Sequence, residues 1–345
     1  MTTAQLATAI PGGNTVRAMR PDDLDAVAAL DARIGGRMRR GYFVRRLESA
    51  LAAPERHVQL AAEGDNGTLA GFIFYLIEAG EFGAGERIAA LETIGVLPEL
   101  RRRRVGAALI ERARAIMRRK GIASETTRAD WRNHGLLAFI DGAGFKLAPR
   151  HVISFDLANA HAVLESEAEA AALAAAGLQA EPQEIDYGGP QFESDPPARG
   201  SIPVRSMNAD DFAAVMRIDR LTFARDRHDY IRSKMTEALQ RSGVRVSLVA
   251  EIDRTPVGFV MAKMEFGEFG RTEPVAVLDT IGVDPKFRRA GVASALLTQL
   301  VGNLRGLAID HLETEAARDQ FDMLGFFYRR GFAPSQRLAF SRPLT

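Results

Sequence analysis

The sequence predicts two tandem copies of one α/β (α+β) domain, each a mixed, mostly antiparallel sheet flanked by helices. Three observations carry the prediction. An internal repeat runs through nearly the whole chain, each copy clusters its strands early and its long helices late, and a proline-rich stretch separates the two.

The repeat is plain. Leu91-Glu-Thr-Ile-Gly-Val-Leu-Pro98 returns as Leu278-Asp-Thr-Ile-Gly-Val-Asp-Pro285, 187 residues on. Gly71-Phe72 and Gly258-Phe259, Glu81-Phe82-Gly83 and Glu268-Phe269-Gly270, and Gly144-Phe145 and Gly331-Phe332 keep that offset. Upstream the offset is 188, pairing Val16-Arg17 with Val204-Arg205, Tyr42 with Tyr230, and Ala62-Glu63 with Ala250-Glu251. The slip falls between Asp-Asn-Gly-Thr and Asp-Arg-Thr-Pro, turn sequences where length changes are best tolerated. So long a period means duplicated domains rather than a solenoid, and 345 residues exceed what one core usually serves. The domains are set at 1–157 and 203–345, with 158–202 between them. Ala160–Ala176, rich in alanine and glutamate, predicts a helix that Gly177 ends. Gln179–Pro203, with four internal prolines before the next copy starts, reads as an extended linker.

Each copy opens on a short strand (Thr15–Met19; Pro203–Met207). Acidic pairs, Asp22-Asp23 and Asp210-Asp211, then favour a helix N-terminus. A second helix begins at Tyr42 or Tyr230. Alternating strands follow at Val58–Glu63 and Gly71–Ile77, and at Val246–Ile252 and Val257–Met264. The next strand, Ile88–Val96 or Val275–Val283, runs into a proline and an arginine-rich turn. An amphipathic helix (Val105–Lys120; Val292–Leu304) comes next. A strand (Ala123–Ala129; His311–Ala316), a helix ending before Gly144 or Gly331, and a last strand (Val152–Leu157; Arg337–Ser341) close the copy.

Composition narrows the function. A net charge of +1 argues against a general nucleic-acid binder. With no cysteine, disulfides, thiol nucleophiles and thiolate metal sites are excluded together. The six histidines are scattered without metal-ligand spacing, so no metal is expected. The N-terminus has no signal pattern and no apolar run is long enough to span a bilayer, so a cytoplasmic protein away from membranes is expected.

The chemistry concentrates in Val283-Asp-Pro-Lys-Phe-Arg288-Arg289-Ala290-Gly291-Val292-Ala293. A strand stops, a loop turns, and a helix begins among small residues. Free N–H groups and the positive end of the helix dipole make an anion cradle, with Arg288 and Arg289 adding charge. Arg288-x-x-Gly291-x-Ala293 resembles the Q/R-x-x-G-x-G/A signature of the GNAT superfamily of N-acetyltransferases, and the resemblance covers both copies nearly end to end. It implies acetyl-CoA as acyl donor. Ile281, Gly282 and Val283 would bond the pantetheine arm through their backbone, Arg288, Arg289, Ala290, Gly291, Val292 and Ala293 would wrap the pyrophosphate, and Gln320 would stand near the CoA arm. The first copy offers Ile94, Gly95, Val96, Arg101, Arg104, Val105, Gly106 and Asn133. It departs from the signature at Arg104, which either hinders the phosphates or adds a contact.

Acetyl transfer to an amine needs a base, an oxyanion donor and a proton for the thiolate. The resemblance gives the donor to the Val283 N–H. Asp279, Glu313 and Glu315 offer the base, and Glu265 and Glu268 offer binding to a cationic substrate. The acids recur in part as Glu92, Glu125, Glu78 and Glu81. The family's tyrosine position holds Phe327 here, with Tyr328 beside it, and a shorter turn before Gly331 would restore the phenol. The first copy has Ile140 and Asp141 there. The reading is an acetyl-CoA-dependent N-acetyltransferase acting on a primary amine by direct attack, with the C-terminal copy catalytic. The alternative is a non-catalytic acyl-CoA-binding or interaction protein.

Overall fold

The computed structural model describes residues 8–9, 15–64, 67–79, 87–158, 202–223, 226–236, 239, 246–265, 267, 269, 271 and 273–344. The helix expected at Ala160–Ala176 and the linker from Gln179 to Ser201 lie outside them. Among the described residues no helix is long and apolar enough to cross a membrane.

The chain forms two compact units. Unit 1 comprises residues 1–152, 265–274 and 335–345, and unit 2 comprises 153–264 and 275–334. In unit 1 the strands are β1 (Thr8–Ala9), β2 (Thr15–Ala18), β3 (His57–Glu63), β4 (Leu69–Ala79), β5 (Arg87–Val96), β6 (Ser124–Asp130) and β7 (Lys146–Leu147). The helices are α1 (Leu24–Gly35), α2 (Arg40–Ala52), α3 (Val105–Arg119) and α4 (His134–Gly142). β8 (Arg150–Asp156) then begins unit 2's run, followed by β9 (Val204–Ser206), α5 (Phe212–Phe223), α6 (His228–Thr236), β10 (Leu248–Ile252), β11 (Thr255–Glu265) and β12 (Val275–Val283). It ends with α7 (Val292–Gly306), β13 (His311–Ala317), α8 (Phe321–Arg329) and β14 (Ala333–Pro334), and the chain closes on β15 (Arg337–Pro343), which belongs to unit 1.

The sheet of unit 1 has the order β1-β2-β3-β4-β5-β6-β15-β7, and that of unit 2 β14-β8-β13-β12-β11-β10-β9. β5 pairs with β6 and β12 with β13 in parallel, while β1 to β5 in unit 1 and β9, β10 and β11 in unit 2 pair antiparallel in turn. Helices cover both faces. Val105, Leu109, Ile110, Ala113 and Met117 of α3 recur at helical spacing and bury one face of unit 1, while Tyr42 and Phe43 of α2 cover the other with Phe72 and Phe74. Unit 2 repeats the plan: Val292, Leu296, Leu300 and Leu304 of α7 fill one side, and Tyr230 and Ile231 of α6 pack on Phe259 and Met261 on the other.

The closing strands do not follow the repeat. β15, the last strand of the second half, pairs with β6 from Arg337↔Asp130 to Pro343↔Ser124 in unit 1, where Leu344 is buried. β8, the last strand of the first half, carries Ile153, Phe155 and Leu157 into the core of unit 2, with Phe155 and Phe332 rings 5.4 Å apart. Duplicated sheets present nearly identical open edges, so either closing strand satisfies either edge.

Candidate functional site

The site begins where two parallel strands part. β5 and β6 pair from Ile88↔Ser124 to Ala90↔Thr126, and β12 and β13 at Ala276↔Leu312 and Val277↔Glu313, and neither ladder goes further. At the parting point a threonine hydroxyl replaces the backbone donor. Thr127 Oγ1 donates to Leu91 O at 3.0 Å, and Thr314 Oγ1 to Leu278 O at 2.9 Å. Beyond it Ile94, Gly95 and Val96 pair only with β4, leaving their other side facing the opening. Ile281, Gly282 and Val283 follow the same opening in unit 2. A strand edge that loses its neighbour while still half covered is suited to a ligand bearing amides of its own.

Small residues hold this edge against the helix that follows. A Cβ on Gly258 would stand 2.5 Å from Val292 Cγ1, and one on Gly282 would stand 2.6 Å from Phe259 Cε1. Gly71 faces Gly95 O, and Gly95 faces Phe72, in the same way. The repeated Gly-Phe and Ile-Gly-Val motifs are therefore one packing contact, which fixes the start of α3 or α7 beside the site strand.

The loop before each helix has one backbone shape in both copies. Arg289 (φ 64°) and Gly291 (φ 88°) are left-handed, as are Arg102 (φ 61°) and Arg104 (φ 64°). Arg104 thus keeps the conformation glycine adopts more easily. A Cβ at Gly291 would meet only Ile202 Cδ1, at 3.9 Å, so a side chain there is accommodated. Arg101, Arg102, Arg103, Arg104, Arg288 and Arg289 are exposed. Val292 is buried, Ala290 exposed and Ala293 half-buried, as Val105 is buried and Gly106 half-buried in unit 1. Exposed guanidiniums beside the N-terminus of a fifteen-residue helix suit a pyrophosphate.

The face of unit 2 opposite α7 carries the titratable groups. The Lys234 ammonium pairs with Asp279 Oδ1 at 3.2 Å, with side chains 8% and 13% exposed, and the Tyr230 hydroxyl donates to Asp279 O at 3.3 Å. Next to it the buried Arg227 guanidinium pairs with Asp219 and donates to Thr280 Oγ1 at 3.1 Å. It also lies 3.9 Å from the centre of the Phe223 ring. Glu313 and Glu315 alternate with Leu312, which faces the α7 core, and so share the face of Asp279. Asp284, buried, accepts from the Lys286 N–H at 3.1 Å and pairs with Arg217 at 2.6 Å, clamping the loop to α5. Burial alone would push its carboxyl up, but these donors hold it below the usual carboxylate value.

Unit 1 treats the matching residues differently. Glu92 is the extra residue of a bulge on β5 and pairs with Arg46 of α2 at 2.5 Å, its side chain 4% exposed. Glu125 lies in the opposite core, accepting from the Tyr75 hydroxyl and Arg114 Nε, each at 2.7 Å. Through the threonine registers Glu125 matches Leu312, not Glu313, and the residues matching Glu313 and Glu315 are Thr126 and Arg128. Glu78 lies on β4 opposite Ile88, and Glu265 ends β11. Glu81 and Glu268 lie outside the described residues.

At the end of each copy, Asn133 and Gln320 hold the N-cap position of α4 and α8. The Asn133 side chain accepts from the Leu136 N–H and Gln320 Oε1 from the Ala317 N–H. Both helices end two residues before a left-handed glycine, Gly144 or Gly331, so the turn of the second copy is not shortened. Phe327 faces the core at 1% exposure, as Ile140 does in unit 1, and Tyr328 is exposed at 41%. Sequence reading passed over Lys234, Arg227 and Thr280. Their signal was the recurrence of Asp31 and Arg39 as Asp219 and Arg227, and of Thr93 as Thr280, in the repeat registers.

A model of the acetyltransferase (GNAT) family matches residues 29–145 and 212–332. No curated protein matches the chain. Among solved structures, the GCN5-related glucosamine N-acetyltransferase region of a fungal multi-domain GH3 β-N-acetylglucosaminidase aligns over 96% of this chain with a TM-score of 0.64 and 14% identity. The chain spans 38% of that protein's length. A GCN5-related N-acetyltransferase from Sphaerobacter thermophilus aligns over 97% of both chains (TM-score 0.59, 14% identity). A tandem GNAT protein from the clavulanic acid biosynthesis pathway aligns over 96% of this chain and 98% of its own (TM-score 0.59, 18% identity). At these identities the likeness is one of fold. With the family matched over both halves and the parted strands and cradle present in each, the chain belongs to the GNAT acetyltransferase family, whose chemistry is acyl-CoA-dependent acetyl transfer.

Proposed function

We propose that the chain is an N-acetyltransferase that moves the acetyl group of acetyl-CoA to a primary amine, with unit 2 as the catalytic copy. The observation that supports this most is the pairing, within unit 2 alone, of an intact cradle with carboxylates at the parted strands. Ile281, Gly282 and Val283 would hold the pantetheine arm along the backbone edge that parts from β13, where Val283 O also accepts from Thr222 Oγ1 at 3.1 Å, and Arg288 to Ala293 would hold the pyrophosphate. Bound there, the thioester supplies an activated acetyl carbon. Attack is direct, because the chain has no cysteine to carry the acetyl group.

Three further roles fall to residues of this chain. Asp279, paired with Lys234 beside the parted strands, orients a cationic acceptor. Glu315, on the neighbouring strand and the same face, draws the amine proton directly or through water. The Val283 N–H stabilises the developing oxyanion. Tyr328 stands exposed on α8 while Phe327 fills the position the family gives to its phenol, so the leaving thiolate takes its proton from solvent. Arg104 leaves the unit 1 cradle in shape, and Asn133 and Arg101 complete a second donor site there, but Arg128 stands where unit 2 has its base.

A panel of primary amines with acetyl-CoA, read by release of free CoA, tests the proposal. Glu315→Gln is expected to lower kcat by about 10²–10⁴-fold. Arg288→Ala is expected to raise the KM for acetyl-CoA more than Arg101→Ala does. Stoichiometric acetyl-CoA binding with no release from any amine would favour a binding module instead.

A further inference from the structure

Residues 265–274 belong to unit 1, although the strands on either side of them, β11 and β12, belong to unit 2. Gly267 lies against α2: a Cβ on it would stand 3.0 Å from Tyr42 Cγ. Arg39, which also pairs with Asp31, donates to the carbonyl oxygens of Gly267 and, at 3.1 Å, of Arg271. Two guanidiniums bracket the half-buried Phe269 ring, Arg128 at 5.1 Å and Arg337 at 5.6 Å from its centre. Arg337 also donates to Phe269 O at 3.5 Å.

These residues are the counterparts of the unit 2 site. Tyr42 matches Tyr230, Arg39 matches Arg227, and Arg128 matches Glu315. In unit 2 Arg227 reaches the hydroxyl of Thr280 on the site strand, whereas Arg39 reaches the carbonyls of the 267–271 segment. Where unit 2 has a carboxylate, unit 1 has a guanidinium over an aromatic ring. Such a surface repels an ammonium and receives an aromatic side chain. We propose that the acceptor-side face of the first copy is a socket for the chain's own Gly267, Phe269 and Arg271, so that this copy takes no amine and transfer is confined to the second. The assignment of that face to the acceptor rests on the function proposed above.

Trypsin cleavage after Arg271, followed by mass spectrometry on the full chain without acetyl-CoA or amine, tests the seating. Phe269→Ala and Arg128→Glu are each expected to speed that cut at least tenfold relative to cuts elsewhere in the chain. Phe269→Tyr, which keeps a ring for both guanidiniums, is expected to stay within about threefold of the parent. Equal rates in the parent and both disruptive variants would overturn the socket. Because no turnover is read, absence of acetyl transfer would sink the proposed function and leave this result standing. Any amine that does turn over is expected to bind at one site per chain by equilibrium dialysis, and two equivalent sites would overturn the single-acceptor inference.

Discussion

Replacing Gly258 by alanine tests whether the cradle is held by steric contact between the strand and the helix start. The new Cβ would stand 2.5 Å from Val292 Cγ1, 3.2 Å from Leu296 Cδ1 and 3.3 Å from Gly282 O. Carbon atoms in contact normally sit about 3.5–4.0 Å apart, so strand and helix must part by roughly 1 Å. Overpacking of that kind costs about 1–3 kcal/mol. Val292 is 2% exposed, and removing its two methyl groups costs roughly 1.5–2 kcal/mol by itself. In the double variant the trimmed side chain makes room for the added methyl, so the two penalties are expected to fall short of their sum by about 1–2 kcal/mol. The mirror pair in unit 1 behaves differently. A Cβ on Gly71 would meet the carbonyl oxygen of Gly95 at 2.7 Å, with Val105 Cγ1 at 3.3 Å. No side-chain change removes a backbone oxygen, so Gly71→Ala and Val105→Ala are expected to add to within about 0.5 kcal/mol. Urea midpoints read by far-UV circular dichroism measure the unit 2 pair. Fluorescence of Trp131, the only tryptophan, reports on unit 1. Additivity in unit 2, or equal rescue in both units, would refute the steric account.

Further outcomes follow from the same comparison of copies. Arg114→Val leaves the fully buried Glu125 without its main partner and is expected to cost about 3–5 kcal/mol. Changing Tyr75, Arg114 and Glu125 together to Ala, Val and Leu, the residues unit 2 has at those places, is expected to cost less than Arg114→Val alone, read by Trp131 fluorescence in urea. Burial, then the charge of Glu125, pushes the Tyr75 phenol well above its ordinary value. Its stabilising contribution is therefore present below about pH 10 and lost as pH rises past it, and Tyr75→Phe is expected to flatten that alkaline slope. At the cradle, Gly291→Ala is expected to cost about 1 kcal/mol from left-handed strain, and Arg104→Gly to recover a similar or smaller amount, both read as shifts of urea midpoint.

How much of this was legible in the sequence differs from element to element. The strands and helices were, because alternation and helical spacing are local properties and the repeat lets each copy check the other. The cradle was legible too, since Arg288 to Ala293 are contiguous and a helix start needs only its neighbours. Its tolerance of Arg104 was not, because that depends on φ and on the open space beside Gly291. Nor was the fate of the acids. Glu125 and Glu313 look alike in an alignment of residue kinds, yet the hydroxyl bonds of Thr127 and Thr314 make Glu125 the counterpart of the apolar Leu312. The partners of Asp279 and Thr280 lie on α6 and just before it, some fifty positions away in sequence.

What the sequence by itself determined is therefore two domains of one fold, each with the same strand, turn and helix start. Only the tertiary structure decided which strand closes which sheet. β8 and β15 both alternate apolar and polar residues, and duplicated sheets offer both the same kind of edge, so nothing local distinguishes staying from exchanging. The tertiary structure likewise set Phe269 among the arginines of unit 1. The segment's own residues are nearly those of Glu81-Phe82-Gly83 in the other copy, and its destination is fixed by where the chain carries it.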